Sequence, residues 1–494
     1  MSTIKDITSL CKSGHLEEGY ELAKSNYNED PQNVWAQRGL AWALYYQMRE
    51  EEEQKSKDDF LMHLEEFGKL DLLSVDNDSV LFDNFIWKVA MFVDDLNGDV
   101  EKMNHVFQSI KQFSFKASDG YSFLLRSSLD FEEWDQLLDF IEWWNLDNLL
   151  KEDYEKFETE NGKKIMSLAE RAYLAYSKAI LNLDDKEKIV SFLPKLQNLM
   201  EEHPEMVFLG YYCGKMMIAL DASQQETIQH VMPFVREKKM ETWVWHMLSE
   251  IYDDADIQLA CLLRASHCKA PDFYKGKVRT ALASMYKAKN DLPRAKYQLS
   301  KIVKCYQEQG WNLPKEAWEM LREPWVKTTS ADESDPIDYI SITDEILVDG
   351  LPESFAVVTY VDNKRGRMSV VYGYKKQDMV RLPEEREGIR KGTVMKIRYS
   401  ENGEGKIKIS QAAIVQTLPA EMQRYCKKMS GVVRKNIGNV FAFLHTNVTD
   451  VFIAPDFVKK YNIQDKDQLN IVAVYDLNRK KEEWSWTCIM INNE

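Results

Sequence analysis

Phe441, Phe443 and Phe452 are the residues of this chain whose type and spacing best suit them to act on a ligand. Phe441 and Phe443 alternate along one apolar segment, so an extended strand turns both rings to the same side. Phe452, on the next such segment, can join them, and the cations Arg434 and Lys435 precede them in the sequence. Exposed rings beside cations make a platform for single-stranded nucleic acid, because every base has a π face to stack. The same alternation also fits rings pointing into a barrel core, so platform and core both stand as readings. A second candidate lies upstream, where Tyr360 is followed by Lys364, Arg365 and Arg367. Such a grouping of cations suits a phosphate better than a base edge, and a solvated hairpin would carry the same charges. Tyr372, Tyr374, Lys375 and Lys376 extend that patch.

Signatures of catalysis are thin. The chain has no HExxH, no GxGxxG after a strand and no phosphate-binding loop; Gly403-Glu404-Gly405-Lys406 lacks the spacing and the Ser or Thr. Glu404-x-Lys406 has the form of a metal-nuclease Glu-x-Lys, but it falls in an expected hairpin turn without an acidic partner on a neighbouring strand. Cys261, His267 and Cys268 have the residue types of a zinc site and want a fourth ligand, so a reduced, packed helix is the expectation. No catalytic residue, metal site or cofactor is expected.

The elements that must position the candidates differ sharply in charge. From Leu347 onward there are 24 Lys and Arg against 18 Asp and Glu, a net of +6. The preceding 346 residues hold 40 against 62, a net of −22. An acidic region repels phosphate backbones and a basic one attracts them, so nucleic-acid contact is expected in the last third. The 494 residues, 44% hydrophobic and 29% charged, imply several packed cores. The first residues lack the apolar core and cleavage pattern of a signal peptide, and no apolar run reaches membrane-spanning length. Seven scattered cysteines without a CxxC fit a reducing cytoplasm.

As far as Trp325 the pattern reads as helix after helix, with Pro31, Pro204, Pro271 and Pro314 opening new segments. Trp245-x2-Leu248-Ser249-x2-Tyr252, with Ala260 and Pro271 following, is similar to a tetratricopeptide repeat. Leu282-Ala283-x2-Tyr286, Ala295 and Leu299 form a second unit. Near the start, Gly14 to Gly19, Ala23 and Pro31 lead to Trp35-x3-Gly39-x2-Trp42. From Met48 to Met206 helical hairpins are expected, such as 169–181 followed by 186–202, without repeat register; an insertion is read around 151–163. Stacked repeats of this kind present a long binding surface and rarely do chemistry. Thr328 to Pro336 is polar and reads as a linker.

Beyond it the alternation is that of strands: 355–361, 368–372, 394–399 and 406–410, with Asn402-Gly403 turning between the last two. A short helix over 419–428 precedes 431–434, 440–444, 451–454, 468–475 and 484–491. The fold class expected is multidomain α plus β. Residues 1–326 are a tetratricopeptide-like helical array, 327–346 a linker, and 347–416 and 417–494 two five-stranded cold-shock or OB-like barrels.

Gly431-Val-Val-Arg434, Gly438-Asn-Val-Phe441-Ala-Phe443 and Asp450-Val-Phe452 together resemble the cold-shock domain, whose adjacent strands carry base-stacking aromatics. By position, Phe441, Phe443 and Phe452 match the stacking residues, and Arg434 and Lys435 lie near where the backbone would pass. Lys435-Asn436 stands where that family has an aromatic pair and Ala454 where it has a histidine, which implies a weaker or altered face. The order of parts resembles the accessory proteins of bacterial TOTE conflict systems. That resemblance implies a non-catalytic adaptor in bacterial defence against foreign nucleic acid, its barrels on single-stranded RNA or DNA and its helices on a protein effector, away from membranes. A pure protein-interaction hub and a degenerate metal-dependent nuclease are the competing functions.

Overall fold

The computed structural model describes residues 3–131, 133–158, 162, 164–383, 387–401, 405–478 and 482–491. The chain divides into two compact units, Met1–Asp335 and Pro336–Glu494. Among the described residues, no helix is long and apolar enough to cross a membrane.

The first unit is almost wholly helical. Ile4–Lys12, Leu16–Glu29 and Val34–Gln54 pack at short range because Gly19 and Gly39 face the first helix. A Cβ at Gly19 would lie 2.6 Å from Cys11 Sγ, and one at Gly39 would lie 2.9 Å from Ile7 Cδ1. The helices Thr242–Ile251 and Ala255–His267 form one hairpin, and Gly276–Ala288 and Leu292–Gln309 another. Asp254 and Asp291 cap the second helix of each, accepting from backbone N–H groups of the first turn. Trp245, Leu248, Tyr252, Ala260, Leu282, Ala283, Tyr286, Ala295 and Leu299 are all buried, so the signature residues are the packing residues.

Between these ends the helices lock together through rings. Phe60 stacks on Phe92 and Phe67 on Phe85, both at 4.0 Å between centroids, and Tyr121 lies on Trp144 at 4.7 Å. Close approach through glycine continues here as well: a Cβ at Gly68 would lie 2.6 Å from the Ser109 carbonyl oxygen, and one at Gly120 would lie 3.0 Å from the Trp87 ring. The expected hairpin over 169–202 is present as Leu168–Asn182 and Lys186–Glu202. The insertion is a short 3₁₀ turn, Lys151–Tyr154, followed by a two-residue strand pair, Phe157–Glu158 with Lys164–Ile165.

The expected linker over 327–346 is only partly a linker. Residues 339–348 are the helix Tyr339–Val348, started by Asp338, whose carboxylate accepts from Ser341 N at 3.1 Å. Burial of Thr343, Ile346, Leu347 and Val348 explains it, a single apolar face too short to read as a period.

Among the described residues, ten strands build the second unit. In the first sheet they are β1 (Glu353–Asp362), β2 (Arg367–Gly373), β3 (Lys376–Arg381), β4 (Val394–Glu401) and β5 (Ile407–Val415), in the order β3-β2-β1-β4-β5. In the second they are β6 (Cys426–Arg434), β7 (Ala442–His445), β8 (Asp450–Ile453), β9 (Gln468–Asn478) and β10 (Glu483–Ile491), closed as a barrel in the order β8-β10-β9-β6-β7. Both orders are one OB-like path. In the first sheet a side chain stands where the closing ladder would be: Asp378 Oδ2 on β3 accepts from Ile407 N on β5 at 2.7 Å. The expected turn Asn402-Gly403 lies outside the described residues. Strand β3 and the helix Pro455–Lys460 were not expected, and the expected helix over 419–428 is a 3₁₀ turn, Ala420–Arg424, because β6 begins already at Cys426.

The two sheets share a core. Val357 and Val371 from the first meet Met422, Cys426, Val472, Val474 and Ile489. Tyr425 pins the seam: its hydroxyl donates to Phe355 O and its carbonyl accepts from Tyr475 N, each at 2.7 Å. Leu477 N also donates to Gln377 Oε1 at 3.0 Å.

Candidate nucleic-acid interface

Strand alternation decides where the three phenylalanines point. On β7, Ala442 and Leu444 are buried in the barrel core, and on β8 so are Val451 and Ile453. Phe443 and Phe452, between them, are therefore turned outward. Phe443 is 40% exposed, and Phe441 and Phe452 are half-buried. The rings form a triangle, with centroids 5.8 Å apart for 441–443 and 441–452 and 5.7 Å for 443–452. They meet edge-on or tilted, which braces each ring against its neighbours. The core alternative for Phe443 is thereby excluded.

Register carries the row across four strands. Arg434 on β6 pairs with Phe443 on β7, Phe443 with Phe452 on β8, and Phe452 with Thr487 on β10. Arg434 thus lies exposed beside the rings. Gly431 lets β6 and β7 close: a Cβ there would sit 2.2 Å from the His445 carbonyl oxygen. Lys435 is placed differently. Its N–H donates to Asp465 Oδ1 at 3.0 Å and its ammonium to the Ile463 carbonyl at 3.2 Å, so it anchors the loop after the short helix. The expectation that it guides a backbone beside Arg434 does not match that geometry.

Two pairs of residues border the platform. His445 and Asp450 face each other across β7 and β8, with Nδ1 and Oδ1 2.5 Å apart, so a carboxylate borders the rings. Ile437 and Val440, in the loop between β6 and β7, are fully and mostly exposed and give that rim an apolar character. Apolar residues in a loop ordinarily carry no signal, so periodicity could not have found them.

The upstream cations form a hairpin tip on the first sheet, not on the sheet that carries the rings. Asp362 Oδ1 accepts from Lys364 N and Arg365 N at 3.1 Å each, and Gly366, at φ +61°, completes the turn. Arg367 pairs with Asp362 on one side and with Arg381 on β3 on the other, which brings a fourth cation to the tip. Lys364, Arg365, Arg367 and Arg381 are exposed, and Tyr360 is 54% exposed on β1. Tyr372 does not extend the patch, because it is buried against Tyr399, with centroids 5.4 Å apart.

Cys261 is fully buried and its thiol is pushed up to about 12 by burial, while His267 turns toward Asp335 at 3.5 Å. No group of three or more His, Cys, Asp or Glu among the described residues could hold a metal ion. Glu404 lies outside the described residues.

Residues 427–491 match the S1/CSD-like domain 2 of the TOTE conflict systems, and residues 207–342 match a family described as a domain of unknown function, DUF7017. The first match covers β6 to β10 with the whole phenylalanine triangle, and bears out the resemblance to the accessory proteins of those systems. No curated protein matches the chain.

Proposed function

We propose that this chain, carrying a nucleic-acid-binding type of domain of the TOTE conflict systems, is a non-catalytic adaptor that holds single-stranded nucleic acid on its second barrel. The observation that carries this reading is the outward triangle of Phe441, Phe443 and Phe452, with Arg434 in register beside it. Bases stack on the rings, and the guanidinium meets a phosphate or caps a base. The cations at the β1–β2 hairpin tip add sequence-independent attraction.

The tetratricopeptide-like helices hold the protein effector. Support comes from a cleft of about 690 Å³ bordered by Trp87, Phe123, Arg126, Phe157 and Met166, where Trp87, Phe157 and Met166 are exposed. Apolar side chains mixed with charges at a cleft suit a peptide segment of a partner. The setting is bacterial defence in the cytoplasm.

The test is a titration of the full chain with single- and double-stranded oligonucleotides at two salt concentrations, in Mg²⁺ or Mn²⁺. Expected are preference for single strands, weakening with salt, and strands recovered uncut. Indifference to every strand would leave the protein hub as the function, and strand cleavage would restore the nuclease.

A further inference from the structure

A second aromatic surface crosses the seam between the two sheets. Tyr374, in the β2–β3 turn, lies on Tyr475 of β9 with centroids 5.2 Å apart and planes within 2°. Tyr475 continues to Trp484 at 5.9 Å and 26°, and to Trp486 at 5.4 Å, both on β10. Register explains the run. Tyr475 pairs with Trp486 and Leu477 with Trp484, so these residues share the sheet face that continues from buried Ala473 and Cys488. Tyr374 is 49% exposed, and Tyr475, Trp484 and Trp486 are half-buried.

Three cations surround this stack. Lys375 Nζ lies 5.9 Å from the Tyr374 centroid, Arg424 Cζ 5.8 Å from the same ring, and Lys427 Nζ 4.8 Å from the Trp486 ring. Among the described residues, none of the three forms an ion pair with a carboxylate. Parts of both sheets and of the 3₁₀ turn between them contribute, and the shared core with its Tyr425 hydrogen bonds holds them in place. Rings stacked or tilted on one another, half open to solvent and bordered by three cations, have the chemistry of a site where bases stack and phosphates are neutralised.

We propose that the Tyr374–Tyr475–Trp484 stack is a second base-stacking site for the single strand that the phenylalanine triangle receives, so that the two sheets bind one strand jointly. This rests on the triangle's proposed function. Charge favours a nucleic acid over a protein occupant here.

The test uses the full chain and single-stranded RNA and DNA of about 6 and about 20 nucleotides, one fold's reach and more than one fold's. Tyr374→Ala should weaken the longer strand by about fivefold or more and leave the shorter one unchanged, at an unaltered melting temperature. Tyr374→Phe keeps the ring and should keep the affinity. Joint Arg424→Gln and Lys427→Gln should flatten the log–log salt slope by about 1.4, two neutralised phosphates at about 0.7 each. If Tyr374→Ala binds both lengths as the wild type does while Phe443→Ala binds them worse, the second site is wrong and the first stands. If affinity falls only in step with melting temperature, the stack merely joins the sheets and the proposal fails. A wild-type chain that ignores every strand ends both sites and leaves the stack to a protein.

Discussion

Phe443 and Leu444 are neighbours on one short strand, and the pair separates surface from core more cleanly than either alone. Leu444 is fully buried, so Leu444→Ala should cost about 2–5 kcal/mol of stability, the transfer and cavity cost of a core leucine. Phe443→Ala removes a ring that is 40% exposed, so its cost in stability should be well below the ~3–5 kcal/mol of a core phenylalanine. Its effect should instead appear as about 1–3 kcal/mol of weaker single-strand affinity. Denaturant unfolding and oligonucleotide titration of both variants check this; a Phe443→Ala chain that is as unstable as Leu444→Ala would return the ring to the core. Period-two spacing made the shared side of Phe441 and Phe443 legible in the sequence, but not which side faced water. That depended on Ala442, Val451 and Ile453 filling a closed barrel, a property of the whole strand set together. Lys435 was illegible for the opposite reason: its partners, Asp465 and the Ile463 carbonyl, lie about thirty positions on, beyond any local pattern.

Among elements, strands were legible where they alternate and hidden where they do not. Lys376-Gln-Asp-Met-Val-Arg381 is polar at four of its six positions, yet it is β3, held by β2 on one side and by the Asp378 bridge to β5 on the other. Edge strands carry polar residues because neither face need be wholly buried. The hidden strand matters to the site, for it brings Arg381 opposite Arg367 at the hairpin tip. Like charges placed together are tolerated when a polyanion visits them. Replacing Lys364, Arg365 and Arg367 with neutral residues should weaken binding across sequences. It should also flatten the salt dependence by about 0.7 in log–log slope for each phosphate that is no longer neutralised. Relieving the repulsion should leave the melting temperature unchanged or slightly raised. Salt titrations on a fixed oligonucleotide read the slope; an unchanged slope would make the tip an ordinary solvated hairpin.

At the scale of the molecule, opposite charge in the two regions was plain from composition, whereas the junction between them was not. The polar run from Thr328 to Pro336 reads as free linker, but the helix Leu292–Gln309 grips much of it. Lys296 Nζ donates to Thr329 O at 2.6 Å, Asp332 N to Pro293 O at 3.1 Å, and Arg294 to Ser334 O at 2.7 Å and Ser334 Oγ at 2.9 Å. Backbone tied down in this way resists the local opening that a protease needs. The first cut in limited proteolysis should therefore fall between Asp335 and Asp338, after the last of these hydrogen bonds and before the helix Tyr339–Val348. Arg294→Ala should widen the sensitive stretch back toward Thr329, which mass spectrometry of the first fragments would resolve. The released tail, freed from a region of net charge −19 (40 Lys and Arg against 59 Asp and Glu up to Asp335), should bind single strands more tightly than the whole chain at low salt, and the two should converge as salt screens the repulsion. First cuts within Thr329–Ser334 of the wild type would show that Arg294 does not hold the junction; a tail that unfolds on release would show that the two units stand only together.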